Sequence, residues 1–474
     1  TMAYGSSIFS EAGSTISMTA EDSLFIDGTI SASAGKIALK IKAPTGGSFD
    51  SNQTLWFGEH AQLLAKGAVK LNSDPLYKTG EVLNGGEISL ITERGYLVME
   101  QGSKLDVSGT STVLDIAING EASFGYQATR IGSDAGSINL VAAEGMVLEG
   151  DMKGVGGTGI NKNGSLLVKL DRSNRNIPDD PAIPFPVDPL NIIVSQQLDH
   201  HFSSTHALGD VLDPLLTGEV VVSADSIMNG GFDYLELTTP DTIQFKGDVN
   251  LSTGIGLKLD ASSIAWKQQG TETSGIVNLD TIHLALGSSK NRTVAGQPVA
   301  GDAIFNTHAQ WTDLFGAVRL DNFGQVNLSS QHDMRLKGNQ FGEQRDFLGE
   351  LLTAANLTLA ASKIYPTSLT EYKIAVENNP EGRIDIISTG GNNAVPLTAG
   401  GSLLMQAAYI RQAGTLLAPL GDINLDASKS LELADGSVTS VSGKGLLVPL
   451  GIVQAGLDWL YPLDSVRNLV FDAS

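Results

Sequence analysis

Short runs in which apolar and polar residues alternate recur along the whole chain. Five of these runs share one phrase, a glycine, any residue, Ile or Val, Asn and Leu. The phrase begins at Gly136, Gly247, Gly275, Gly324 and Gly421, and looser versions begin at Gly35, Gly86, Gly382 and Gly401. A period of two is typical of a β-strand with one buried face, and the glycine marks a turn before it. The pattern therefore predicts short strands whose aliphatic side chains enter a core.

A second apolar run and another turn follow several of these phrases. These second runs lie at 24–28, 97–100, 146–150, 334–338 and 431–434. Strand, turn, strand, turn is the order expected of a solenoid, in which successive coils stack. The phrases at Gly382, Gly401 and Gly421 are 19 and 20 residues apart, which fits one coil each, whereas most others are separated by 28 to 51 residues. We therefore predict an all-β fold, a parallel β-helix (β-solenoid) interrupted by loop insertions.

Some stretches depart from this pattern. Residues 346–355 and 450–460 are each long enough for a short helix, and the sequence leaves helix or strand open for both. Residues 171–217 are rich in proline and are predicted to form an insertion or a subdomain outside the β-helix. The predicted organisation is given by four segments. They are β-helix rungs at 1–170, the Pro-rich insertion at 171–217, further rungs at 218–445, and a carboxy-terminal segment or cap at 446–474.

Composition and charge narrow the classes of partner. The chain has 52 acidic and 30 basic residues, a net charge of −22, which disfavours nucleic acid and anionic lipid. It has no Cys, so disulfides and Cys-based metal sites are excluded. The first residues lack the pattern of a signal peptide, and prolines and Asp458 interrupt the longest apolar run. We expect no nucleic-acid partner and no membrane-spanning segment.

Few residues suggest chemistry. Asp199, His200, His201 and His206 form a cluster in which the three histidines could offer imidazoles to Zn, Ni or Cu. However, adjacent histidines on an extended chain point in opposite directions, so a solvent-exposed polar loop is the favoured interpretation and metal binding stays open. Residues 246–248, Lys-Gly-Asp, resemble a cell-attachment tripeptide, but the repeat already explains their glycine. We assign no catalytic, cofactor-binding or metal-ligating residue and expect no cofactor.

The repeated phrases resemble a known family. The segments that carry the resemblance include LFIDGTISASAGKIAL, GEISLITERGYLVMEQGSKLDVSG, SDAGSINLVAAEGMVLEG, FGQVNLSSQHDMRLKG and LTAGGSLLMQAAYIRQAGTLLAPLGDINLDA. They are similar to the repeats of filamentous haemagglutinin family exoproteins of Gram-negative bacteria, and the chain resembles an interior or carboxy-proximal portion of one. The resemblance implies a two-partner secretion passenger that crosses the outer membrane through a β-barrel transporter and folds outside as a right-handed parallel β-helix.

The resemblance and the repeats together give an expected function. We expect an extracellular, rod-like segment of a secreted or cell-surface adhesin, serving reach, display and attachment to a host-cell, bacterial or glycan surface. One alternative is the stalk of a contact-dependent toxin-delivery exoprotein. A β-helix polysaccharide lyase is a further alternative, but it needs clustered Asp and a Lys or Arg base, and no such cluster stands out in the sequence. We therefore expect no enzymatic activity.

Overall fold

The computed structural model describes residues 1–43, 53–171, 189–198, 202, 210, 218–268, 270, 274–340, 347–391 and 394–446, together with the backbone of three strands between 452 and 472. The fold is all-β, with 59% of residues in strands and 3% in helices. The chain divides into two compact units. The first contains residues 1–286 and 301–308, and the second contains residues 287–300 and 309–474.

Most strands are short, and two long ones occur near the middle of the chain. Strands β1 to β14 are Ser7–Phe9, Thr15–Ala20, Ser23–Ile26, Thr29–Ser31, Lys36–Ile41, Thr54–Phe57, Gln62–Leu64, Ala68–Leu71, Gly80–Leu83, Glu87–Thr92, Tyr96–Met99, Lys104–Asp106, Ser111–Ala117 and Tyr126–Gly132. Strands β15 to β27 are Ser137–Ala142, Gly145–Leu148, Asp151–Lys153, Gly164–Leu170, Asn191–Ser195, Glu219–Ser223, Phe232–Thr238, Thr242–Lys246, Val249–Ser252, Gly256–Asp260, Ser263–Lys267, Ile276–Ser288 and Ala300–Asp321.

The remaining strands follow in the second unit. Strands β28 to β41 are Phe323–Ser330, Asp333–Lys337, Phe347–Thr353, Asn356–Ala361, Lys363–Pro366, Thr370–Val376, Arg383–Ser388, Ser402–Ala413, Thr415–Leu417, Asp422–Leu433, Val438–Ser440, Ile452–Gln454, Asp458–Pro462 and Asn468–Asp472. Helical structure in the described residues is limited to α1 (Ala224–Gly230) and two 3-10 turns, Ile118–Gly120 and Ala122–Phe124.

Parallel pairing organises each unit into columns, meaning series of strands that pair one after another. The register shifts within the β18–β21 pair, between Gly164 and Ser165. In the first unit one column is β2, β5, β10, β15, β18, β21 and β24. A second is β3, β6, β11, β16, β20, β19, β22 and β25. In the second unit β28, β31 and β34 form one column and β29, β32, β36 and β38 form another. The predicted parallel all-β character is therefore confirmed.

The repeated phrases occupy equivalent positions within these columns. Residues after Gly35, Gly86 and Gly136 pair as neighbours, because Lys36 pairs with Glu87 and Glu87 with Ser137. The aliphatic positions of the phrase are buried in all of these runs except the one at Gly421, where Ile423 and Leu425 are only partly buried. The buried positions include Ile37, Leu39, Ile88, Leu90, Ile138, Leu140, Val249, Leu251, Val326 and Leu328, each at most 1% exposed. The period of two thus predicted the buried face correctly, since alternate side chains of a strand point to opposite faces.

Close backbone approach explains the recurring glycine. A Cβ placed on Gly86 would lie 1.9 Å from the carbonyl oxygen of Gly35, and one on Gly136 would lie 1.7 Å from that of Gly86. In the second unit, a Cβ on Gly421 would lie 1.9 Å from the carbonyl oxygen of Gly401. No side chain fits such a gap, so glycine is required by packing between layers.

One spacing argument was only half right. Gly401 and Gly421 do begin successive layers, because Ser402 pairs with Asp422. Gly382 does not precede them in that column, since Arg383 pairs with Tyr409 instead. The 19 residues between Gly382 and Gly401 lead from a strand of one column to a strand of another column. One strand and the turn after it can be as long as a short coil, so the spacing alone does not identify a coil.

Both stretches for which the sequence left helix or strand open contain strands in the described residues. Residues 347–353 form strand β30, which pairs in parallel with β33. The 450–460 segment contains β39 and the start of β40, which belong to an antiparallel three-stranded sheet with β41. A short run with apolar residues at helical spacing can also form a strand when neighbouring strands supply the hydrogen bonds.

The Asn position of the phrase lies on the outer face. Asn278 donates from Nδ2 to Oδ1 of Asn250 at 2.8 Å, and Asn306 donates in the same way to Asn278 at 2.9 Å. The sequence left open whether such asparagines point outward or inward. The side chains of Asn250, Asn278 and Asn306 form a short amide ladder across adjacent layers. The ladder lies on the face opposite the buried Val and Leu side chains of the phrase.

The Pro-rich insertion is interrupted by a strand. Within 171–217, β19 pairs in parallel with β20 on one side and β22 on the other, so residues 191–195 belong to the second column. Phe202 is also described and is buried. The rest of the predicted insertion is mostly outside the described residues.

Candidate functional site

Two antiparallel hairpins project between layers of the first unit. Hairpin A comprises residues 67–84, with β8 paired to β9, and hairpin B comprises residues 110–133, with β13 paired to β14. Hairpin A lies between the phrases at Gly35 and Gly86, and hairpin B lies between those at Gly86 and Gly136. Each hairpin is therefore an excursion from the parallel columns.

Hairpin B turns where the sequence has an Asn-Gly pair. Asn119 and Gly120 have φ values of 52° and 80°, in the left-handed region that Asn and Gly tolerate best. Strand β13, before this turn, contains Leu114, which is 1% exposed and anchors the hairpin. Local turn chemistry and one buried leucine thus fix its position.

The tip of hairpin A is bonded to the free edge of β13. The main-chain N–H of Asp115 donates to the carbonyl oxygen of Lys78 at 2.9 Å, and the Lys78 N–H donates to Oδ2 of Asp115 at 2.7 Å. Lys78 Nζ also donates to the Thr112 hydroxyl at 3.0 Å. The rings of Tyr77 and Tyr126 stack with centroids 4.1 Å apart. The two hairpins therefore form one surface, which we call the hairpin pair.

The hairpin pair exposes an unusual number of large apolar side chains. The exposed set is Val69, Leu71, Leu76, Tyr77, Val113, Ile116, Ile118 and Phe124. Leu76 is 82% exposed and Phe124 is 61% exposed. Grouped exposed apolar residues on a soluble surface mark sites of interaction, whereas single ones need no explanation.

The hairpin pair is also nearly neutral. Its charged residues are Lys70, Lys78, Arg130, Asp74, Glu81, Asp115 and Glu121, three basic and four acidic, while the whole chain carries −22. An acidic surface that approaches the hairpin pair therefore meets weaker charge repulsion than it would meet elsewhere on the chain. Its exposed apolar area and weak charge suit contact with another macromolecular surface.

The sequence contains signals for this surface that its interpretation missed. An Asn-Gly pair after alternating residues is a strong hairpin signal, and residues 113–120 contain both. The interval from Gly86 to Gly136 is about 30 residues longer than a 20-residue coil, which leaves room for an excursion of this size.

A groove of about 390 Å³ lies on the second column, beside Phe202. Its floor includes Val147, Ile193 and Val221, which are neighbours in the strand register. Lys267 forms an ion pair with Glu219 across its rim at 3.5 Å. Within the described part of 171–217, β19 belongs to the sheet and Phe202 packs against it.

Phe202 is held beside this groove by two contacts. Its main-chain N–H donates to Oε1 of Glu149 at 3.0 Å, and its ring centroid is 5.6 Å from that of Trp56. Trp56 in turn donates from Nε1 to Glu100 at 2.6 Å. Burial raises the pKa of Glu100 above its ordinary value, despite the hydrogen bond from Trp56. These contacts fix the position of the Phe202 ring.

The predicted chemical candidates are not assembled into a site by the structure. Asp199, His200, His201 and His206 lie outside the described residues. In the Lys-Gly-Asp tripeptide, Gly247 has a left-handed φ of 69°, and Oδ1 of Asp248 accepts a hydrogen bond from the Ile276 N–H at 2.8 Å. That aspartate therefore closes a turn between layers. Among the described residues, no group of three or more metal-ligating side chains is close enough to hold an ion.

Charged residues distant in sequence do converge in the second unit. Arg335 binds Asp313 through two hydrogen bonds of 2.6 and 2.8 Å, and Lys337 lies 3.3 Å from the same carboxylate. The Tyr365 hydroxyl donates to Asp333 at 2.9 Å. Burial and the adjacent Asp333 carboxylate raise the pKa of Tyr365, so the phenol stays protonated. The cluster links three strands through ion pairs and hydrogen bonds.

Comparisons with protein-family models, curated proteins and solved structures each found no match to this chain. No helix within the described ranges is long and apolar enough to cross a membrane.

Proposed function

We propose that this chain is a segment of a secreted surface adhesin, built from right-handed parallel β-helix and delivered through an outer-membrane β-barrel transporter. In this role the parallel columns serve reach and display, and the hairpin pair attaches to a cell or bacterial surface. The single observation that carries the proposal is the hairpin pair, an exposed apolar surface held on a regular parallel framework.

The framework supports this proposal through its connectivity. Strands of the same column are commonly three elements apart in sequence, as in β21 and β24, β22 and β25, or β23 and β26. A chain that visits three columns in turn and then repeats winds as a coil. Right-handed winding is the expected hand, because parallel crossover connections are right-handed in almost all cases.

The hairpin pair supports attachment through its rigidity. Main-chain hydrogen bonds, the buried Leu114 and the stacked Tyr77 and Tyr126 rings hold the exposed residues in place. A rigid apolar surface loses little side-chain and loop entropy on binding, so more of its buried area contributes to affinity. Exposed aromatic and aliphatic residues are also the typical anchors of protein interfaces.

The test compares surface attachment of the purified chain with that of two variants. The double variant Leu76→Ser with Phe124→Ser removes the two most exposed apolar groups of the hairpin pair. The matched control is Leu397→Ser, which changes an equally exposed leucine, also 82%, in the second unit. Binding to immobilised epithelial and Gram-negative cells is measured by fluorescence, with circular dichroism as a check on folding.

The expected result is that the parent and Leu397→Ser bind alike, while the double variant binds about tenfold less, equivalent to about 1.4 kcal/mol. All three should give the same circular dichroism spectrum. Absence of attachment by the parent chain, or equal attachment of the double variant, would refute the proposal.

A further inference from the structure

A second surface, a straight groove of about 580 Å³, lies on the outside of the first unit, along the first column. It crosses six consecutive strands of that column, β2, β5, β10, β15, β18 and β21. At about 4.8 Å between neighbouring strands its length is on the order of 24 Å. A groove this long and narrow suits an extended chain better than a compact ligand.

The floor of the groove is main chain whose polar groups are already used. It follows the glycines that begin the repeated phrases, including Gly35, Gly86 and Gly136. The carbonyl oxygens of these glycines accept hydrogen bonds from the next layer at 2.9, 3.0 and 3.1 Å. The strands β5, β10 and β15 that follow these glycines are each paired on both sides, so an extended peptide lying over them could not add to the sheet as a further strand.

The walls consist of polar side chains held in defined orientations. Lys36 and Glu87 form an ion pair of 2.8 Å across neighbouring layers. Asn163 donates to both carboxylate oxygens of Asp233, at 2.8 and 3.0 Å, through its main chain and its side chain. Oδ1 of Asp134 accepts the main-chain N–H of Lys162 at 3.0 Å. These groups present donors and acceptors suited to hydroxyl groups.

The charge of the groove argues against an anionic ligand. Its ionisable wall residues are Lys36, Lys162, Glu87, Asp134 and Asp233, two basic and three acidic. The chain around them carries −22. Both the local balance and the wider field disfavour a polyanion, such as a nucleic acid or an acidic polysaccharide.

An aromatic ring lies at one end of the groove. A Cβ on Gly256 would lie 2.6 Å from the ring of Tyr234, which is its neighbour in the register. The ring therefore lies close against the next strand, and the absence of a side chain at Gly256 makes room for it. Tyr234 is only partly buried, so part of its ring is accessible from the groove. A partly exposed aromatic ring offers an apolar surface beside the polar walls.

We propose that this groove binds a linear, uncharged polysaccharide along the stacking direction of the strands. One sugar ring lies against Tyr234, and the hydroxyls of the other sugars bond to the wall residues, among them Glu87 and Asp134. Such a ligand has the extended shape, the many hydroxyls and the lack of charge that the groove requires. The proposal goes beyond attachment by the hairpin pair and does not depend on it.

Calorimetric titration of the full chain tests this proposal with defined probes. The neutral probes are the linear hexasaccharides of β-1,4-glucose, β-1,4-mannose and β-1,4-N-acetylglucosamine, and the anionic comparison is hexagalacturonate. Tyr234→Ala removes the ring and Tyr234→Phe retains it. The control is Tyr4→Ala, which removes a ring 72% exposed in the same unit.

At least one neutral hexasaccharide should bind the parent chain, and hexagalacturonate should not. Tyr234→Ala should weaken that binding about tenfold, a loss at the upper end for one aromatic contact, while Tyr234→Phe and Tyr4→Ala should stay within about twofold. The hairpin double variant should retain full binding, which separates this inference from the proposed function. Failure of all three neutral probes, preference for hexagalacturonate, or full binding by Tyr234→Ala would overturn it.

Discussion

Gly136→Ala tests the contact on which stacking in the first unit depends. The added methyl carbon would lie 1.7 Å from the carbonyl oxygen of Gly86, half of the 3.4 Å at which ordinary contact begins. The nearest atoms belong to the main chain of Gly85 and Gly86, which cannot rotate away as a side chain could. The layers must therefore separate at this point.

The expected loss of stability follows from two contributions. Forcing a methyl group into a packed site costs about 1–3 kcal/mol. Separation of the layers also stretches the 3.0 Å hydrogen bond from the Ser137 N–H to the Gly86 oxygen. Loss of one or two such bonds costs about 0.5–1.5 kcal/mol each. Together these contributions predict a loss of about 2–5 kcal/mol in the free energy of unfolding.

Urea unfolding followed by far-ultraviolet circular dichroism measures this loss. The matched control is Gly159→Ala in the same unit, because a Cβ there meets no atom within 4 Å and its φ is not left-handed. That variant should stay within about 1 kcal/mol of the parent, on the stabilising side, since alanine restricts the unfolded chain. Equal stability of Gly136→Ala and Gly159→Ala would refute the argument that close approach requires the glycine.

Two further predictions concern single side chains of the first unit. Asn278→Ala loses two ladder hydrogen bonds, and Asn250→Ala loses one. Urea unfolding should therefore show that the free energy of unfolding falls by about 1 kcal/mol for Asn278→Ala and by about half of that for Asn250→Ala. Equal losses in the two variants would contradict the ladder. Because burial raises the pKa of Glu100, its contribution to stability is present at low pH and is lost as pH rises through the raised pKa. Glu100→Gln removes this titration, so its stability relative to the parent should increase between pH 4 and pH 7, and a pH-independent difference would contradict the assignment.

Much of the strand pattern could be predicted from the sequence, because alternation reports directly on burial. The inward positions of the phrase, such as Ile138 and Leu140, are buried as the period of two required. The order of stacking could not be predicted in the same way. Gly382 and Gly401 begin similar phrases but belong to different columns, because column membership depends on the length of each turn and the phrase does not encode it.

The candidate sites were harder to predict than the strands, for physical reasons. The hairpin pair depends on contacts between residues far apart in sequence, such as Lys78 with Asp115 and Tyr77 with Tyr126. The Asn-Gly turn predicts that hairpin B exists, but it does not predict which partner covers its edge. Exposure of the apolar residues in the hairpin pair likewise depends on which side chains the folded chain covers, so alternation alone does not predict it.

The glycine phrase connects stability to the proposed groove through a division of positions. In layers such as those of Gly86 and Gly136 its first residue must be glycine because the layers approach too closely for a Cβ, and this leaves a floor without side chains. Its second residue points outward and is free of that constraint, which is why it is Lys36, Glu87 and Ser137 in three successive layers. Tyr234 occupies the same register position further along the column, after Asp233 instead of a glycine. Ligand preference in the groove should therefore change with the second residue while stability changes with the first. Ser137→Lys, which adds a positive charge beside Glu87, should shift binding toward hexagalacturonate with a change in unfolding free energy below about 0.5 kcal/mol. A large loss of stability in that variant would show that the two positions are not independent.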